Sequence, residues 1–145
     1  MKSIRIILAL LVLIPALLPA LGMISVGHLS KAEAEKLGIT MKHRKNGDAG
    51  VMVWLEFKKE GFLEKFSYAE FQMHDGKGKH VVSAMLQPRP VVHAQPKDIV
   101  SVAFSADPAH LPHCAFMIVA YRSIRGDVGY VLNVKDFFDV KQLAE

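Results

Sequence analysis

The chain has 145 residues, 51% of them hydrophobic, with 18 Lys and Arg against 14 Asp and Glu and one cysteine. That length suits one domain with a single core, and a lone cysteine excludes the disulfide-stapled class of small secreted domain. Lys2 and Arg5 lie in the N-terminal leader stretch, so the rest carries sixteen basic against fourteen acidic residues, a balance that gives no electrostatic reason to expect nucleic acid.

The run Ile6 to Val26 has no charged side chain and follows Lys2 and Arg5, so residues 1–27 read as a signal peptide or an N-terminal membrane anchor. Three small-residue exits suit leader cleavage: Ala20-Leu21-Gly22, Ser25-Val26-Gly27 and Ala32-Glu33-Ala34. Pro15 and Pro19 disfavour a straight spanning helix, though membrane helices tolerate proline. The expected location is periplasmic or extracellular, with membrane contact only through residues 6–26 where the leader is retained. Residues 28–50 read as a short helix, with Ser30 and Glu33 at capping-box spacing and Gly38 as the stop, followed by a polar linker, Lys42 to Gly50.

From Val51 the texture becomes that of a sheet protein, so residues 51–140 are read as the folded domain. In Val51 to Lys58, Val51, Val53, Leu55 and Phe57 share one face of a half-buried strand. Phe62 to His74 is one bent strand or two short ones, and Asp75-Gly76-Lys77-Gly78 is a hairpin loop before Lys79 to Leu86. Gln87 to Lys97, with three prolines, is a loop or a sheet edge. Ile99 to Ala106 alternates cleanly, and Asp107-Pro108 opens a helical turn towards His110 and Leu111. His113 to Tyr121 is the most apolar run and the expected central strand. Arg125 to Gly129 reads as a turn, Tyr130, Leu132 and Val134 line a last strand, and the tail offers one helical turn. Six or seven strands predict an all-β, two-sheet antiparallel sandwich, immunoglobulin-like in the broad sense but without the paired cysteines, with a small barrel as the runner-up.

Chemistry-bearing residues are few. His110, His113, Cys114 and Met117 form a copper-type ligand set, but neighbours on a strand face apart. Cys114 and Met117 therefore read as core residues, and His110 with His113 remain as a weak surface zinc or copper pair. His43, His74, His80 and His93 are scattered, with His74 and His80 flanking the hairpin. No catalytic serine elbow, cysteine–histidine pair or phosphate loop stands out, and no cofactor is implied. Two further features stand apart: the basic patch Lys42-His43-Arg44-Lys45, which reads first as a solvated linker and, where the leader is retained, as a contact for acidic envelope polymers or headgroups, and the aromatics Trp54, Tyr68, Phe71 and Tyr130, which read as core residues and mark a partner site where exposed.

These readings lead to an exported, non-catalytic β-sandwich domain of the cell envelope, with a binding, accessory or structural role and a protein or envelope polymer as partner. The alternative is an exported copper- or zinc-binding protein using His110 and His113. A small hydrolase that assembles Glu56, Glu64, Glu70 or Asp75 in space ranks last.

Overall fold

The computed structural model describes residues 25–47, 50–58, 66–91, 99–123 and 126–142. All but the last two residues of the apolar run Ile6 to Val26 lie outside them, as do Glu64, His93 and the end of the tail. The described chain is all-β and sandwich-like. In order come β1 (Ser25–His28), α1 (Lys31–Lys36), β2 (Ile39–Lys45), β3 (Val51–Lys58), β4 (Phe66–His74), β5 (His80–Leu86), β6 (Arg89–Pro90), β7 (Ile99–Ala106), β8 (Cys114–Ser123) and β9 (Gly126–Asn133), with short 3₁₀ helices at Pro108–His113 and Val134–Asp136. They form a five-stranded sheet, β1-β9-β8-β4-β5, and a four-stranded sheet, β2-β3-β7-β6.

Period-2 patterning explains the inner faces. Along β3, Val51, Val53, Leu55 and Phe57 are buried while the residues between them are not, and β7 buries Val100 and Val102 in the same way. From the other sheet Ala69, Cys114, Phe116, Ile118 and Leu132 complete one shared core. Each fully buried Leu or Phe contributes about 1.5–3 kcal/mol. Three phenylalanines stitch the sheets together: Phe104 of β7 stacks on Phe71 of β4 and on Phe116 of β8, with ring centroids 4.5 and 4.7 Å apart. β8, the most apolar run, is the middle strand of its sheet. Asp107 caps the 3₁₀ helix as its type and spacing predict, accepting from the Ala109 N–H at 2.8 Å. That helix continues through His113, so β8 opens at Cys114.

Three expectations need correction. The stretch read as a linker, 28–50, carries core: α1 has its full capping box at Ser30 and Glu33, but Leu29, Ala34, Ile39 and Met41 are buried in the cluster. The polar half of this stretch is strand β2, paired residue for residue with β3. Only Ile39 and Met41 carry apolar inward side chains, and cross-strand pairing supplies what the local pattern lacks. Secondly, the pairing is not wholly antiparallel, because β1 lies parallel to β9, Ser25 beside Val128 through His28 beside Val131. Thirdly, Gly126 to Gly129 is strand rather than turn. It pairs with Ser123 to Val119, and the demand of the most apolar strand for a partner outweighs local turn chemistry.

The four sheet edges are unlike one another. β2 is charged, β6 is two residues long and contains Pro90, and β1 is four residues long. These are ordinary devices against unwanted strand pairing. β5 has none of them: its residues His80 to Met85 are exposed, including Val81, Val82 and Met85.

Candidate groove on the outer face of the four-stranded sheet

Register brings together two features that are separate in sequence. Because β2 and β3 pair with Lys42 beside Trp54 and Arg44 beside Met52, the outward positions of the basic patch lie against the only tryptophan. Lys42 and Arg44 alternate with the buried Ile39 and Met41 side and so face outward with Trp54 and Glu56. His43 points the other way and meets Phe138 edge-on, with centroids 4.5 Å apart.

Glu56 organises this face. Its Oε1 accepts from the Trp54 indole N–H at 2.8 Å, and its Oε2 accepts from Lys42 Nζ at 2.7 Å. The indole edge and the ammonium are therefore held by one carboxylate, which fixes the ring against the strand. Desolvation works to raise the Glu56 pKa, but the hydrogen bonds from Lys42 and Trp54 and the Lys42 charge outweigh it and hold the carboxyl below its ordinary value. Glu56 is thus a committed anion rather than a proton donor.

On the far side of β3 the neighbours are small. Trp54 pairs with Ala103, Met52 with Ser105 and Glu56 with Ser101, so the outward residues of β7 form a low floor between the Trp54–Met52 ridge and Arg89 on β6, which pairs with Ser101. The result is a groove made of two adjoining depressions, of about 330 and 400 Å³, that share Met52, Ser101 and Ala103. Arg44 lines one end, and Arg89 lines the other beside Met85. Arg44 stands level with Ser105 of β7 and Arg89 with Ser101, four residues along, so with strands about 4.8 Å apart and a rise of about 3.3 Å per residue the basic ends lie diagonally, about 20 Å apart.

The other residues singled out by sequence fall elsewhere. Phe71 and Tyr130 pack against the core, and Tyr68 is half-buried on the opposite sheet, its phenol raised in pKa by burial and then by Glu70 and Asp127. Cys114 is buried, its thiol donates to the His110 carbonyl at 3.2 Å, and burial pushes its pKa up to about 11. His110 and His113 are both exposed on the 3₁₀ helix. His74 and His80 do face each other across the hairpin, with ring centroids 5.9 Å apart. An open cleft of about 510 Å³ at one end of the sheets gathers His28, His74 and His113 with Asp75 and Lys135. Among the described residues no group of three or more His, Cys, Asp or Glu is placed to hold a metal ion, and no polar or charged side chain is fully buried. Glu70 lies on β4 of the five-stranded sheet and Glu56 on β3 of the four-stranded one, while Asp75 accepts from the Lys77 and Lys79 N–H groups within its own hairpin.

No protein-family model, curated protein or solved structure matches this chain.

Proposed function

We propose that this is an exported, non-catalytic binding domain of the cell envelope whose outer groove holds an acidic polysaccharide. The observation that carries the reading is Trp54, tethered by Glu56 and Lys42 beside a groove floored by Ser101 and Ala103 and ended by Arg44 and Arg89. A fixed aromatic face stacks on the C–H faces of a sugar ring, and burying such a face against an apolar partner is worth more than its area alone. Arginines at the ends suit carboxylates along the polymer, which the planar guanidinium meets with two parallel hydrogen bonds. The open, shallow shape suits a chain lying across the sheet rather than an enclosed small molecule.

A finer fold assignment supports the same reading. The order β2-β3-β7-β6 opposite β9-β8-β4-β5 corresponds to the A-B-E-D and G-F-C-C′ sheets of an immunoglobulin-type sandwich. β1 is then an added parallel strand at the G edge, and the Phe71–Phe104–Phe116 stack joins strands C, E and F, where immunoglobulin domains tie B to F with a disulfide. Such sandwiches serve as rigid carriers for surface sites.

Affinity electrophoresis through gels containing polygalacturonate or alginate, with neutral dextran as control, tests the proposal. The expected result is retardation by the anionic polymers that weakens with salt, and a loss of at least about tenfold in affinity for Trp54→Ala. Equal migration in all gels at low salt, or retention unchanged by Trp54→Ala, overturns it.

A further inference from the structure

We infer that the export leader is removed by cleavage between Gly22 and Met23, so that the mature chain begins at Met23. This rests on the exported reading proposed above and goes beyond it, because the fold discriminates among cuts that the sequence leaves equal. A leader peptidase reads small side chains at the first and third positions before the scissile bond, and Ala20/Gly22, Ser25/Gly27 and Ala32/Ala34 all satisfy it.

Cleavage after Gly27 removes three of the four residues of β1, Ser25–His28. β1 pairs along Val128 to Val131 of β9, and the pairing continues through the Leu29 N–H, which donates to the Val131 carbonyl at 2.9 Å. Its loss bares the edge of β9 and frees the lead-in to Leu29, a core residue. Cleavage after Ala34 is worse, since it takes β1, Leu29 and Ala34, the last of which is completely buried. Cleavage after Gly22 keeps every described element of the fold and leaves Met23 and Ile24 ahead of β1.

The same geometry argues against a retained anchor. An uncleaved span would run directly into residues 28–50, which read as a short helix and linker but are built into the domain through Leu29, Ala34, Ile39 and Met41. The sheet begins at Ser25. A spanning helix takes about 20 residues, so a span counted from Ile6 leaves no residue between itself and the first described strand.

The test expresses the full chain in a bacterium with an inner-membrane leader peptidase, fractionates the cells and measures intact masses. A soluble periplasmic species beginning at Met23 is the expected result. Gly22→Asp, which puts a charged side chain at the position before the cut, is expected to leave the chain full length, and Gly22→Ala to restore processing. A mature chain beginning at His28 or Glu35 overturns this inference while leaving export intact. An uncleaved chain, protease-accessible from the periplasm, overturns cleavage but not export, and an uncleaved cytosolic chain overturns the exported reading beneath it. As a second measurement, chains produced to start at Met23 and at His28 are compared by thermal unfolding. The shorter is expected to melt at least about 5 °C lower, and equal midpoints remove the structural reason for preferring the earlier cut.

Discussion

Gly50 sits where β3 begins, at φ +90, and a Cβ built there meets the Ala106 carbonyl oxygen at clash distance and its carbonyl carbon at 3.0 Å. Both are backbone atoms at the end of β7, so no rotamer change relieves the contact. Gly50→Ala therefore meets two costs. Placing an L side chain at positive φ costs about 1–2 kcal/mol. Parting the strand ends also weakens the hairpin bond in which the Asn46 N–H donates to the Gly50 carbonyl at 2.8 Å, a further cost of about 1 kcal/mol. The total is about 2–3 kcal/mol, or a melting point lower by about 8–12 °C for a domain of this size. Two controls separate the costs. Gly78 has φ +79 but open space around its Cβ, so Gly78→Ala shows the conformational cost alone, about 1–2 kcal/mol. Gly76 has open space and no positive φ, so Gly76→Ala is expected within about 0.5 kcal/mol of the parent. Scanning calorimetry of the three variants gives the order. If Gly50→Ala melts no lower than Gly78→Ala, the close approach of β3 to the end of β7 is refuted.

Cys114, with its pKa near 11, is expected to resist a thiol-specific reagent such as DTNB at pH 8 in the folded protein, where about one thiol in a thousand is ionised, and to react at once in denaturant. Rapid labelling of the native chain contradicts its burial. Glu56 bears on acid stability: a carboxyl held below its ordinary value of 4.5 stabilises the fold above that pH, and the contribution is lost as pH falls through the lower folded-state value. Glu56→Gln should consequently flatten the acid limb of a stability–pH curve measured by urea unfolding, and an unchanged limb shows that the Lys42–Trp54 network does not persist in solution. On β5, Val81→Lys and Met85→Lys replace side chains that are 54% and 58% exposed, so unfolding midpoints should move by less than about 0.5 kcal/mol. Light scattering of the heated or concentrated protein should fall, because a charge on an open strand edge opposes edge-to-edge pairing. Scattering equal to the parent's removes β5 as an aggregation-prone edge.

How much was legible in the sequence follows from where the information lies. β3, β7 and the hairpin at Asp75 to Lys79 are local: alternation or turn chemistry within a few residues specifies each, and the bounds of β3 and β7 agree to the residue. β2 was hidden because its inward positions run Ile39, Met41, His43, Lys45, so only half carry the apolar signal. α1 was read correctly as a capped helix, yet its role in the core rests mainly on Ala34, a side chain too small to create a visible apolar stripe. β1 was concealed within the apolar run that precedes it, whose last residues, Ser25 and Val26, serve the sheet. At the groove, Trp54 and the Lys42-to-Lys45 patch are each visible in the sequence, but twelve positions separate Lys42 from Trp54 and only the hairpin register sets one against the other. Register is a property of paired strands, and a one-residue slip would send either side chain to the other face.

The parallel union of β1 with β9 also bears on when the protein folds. Ser25 finds its partner in Val128, so β1 must wait for a strand that lies 128 − 25 = 103 residues further along the chain. Contacts this distant along the chain bear their loop-closure entropy before they return any stabilisation, which makes this seam a late event in folding. Whatever the order in which the rest of the domain forms, its five-stranded sheet is complete only once β9 is in place to receive β1.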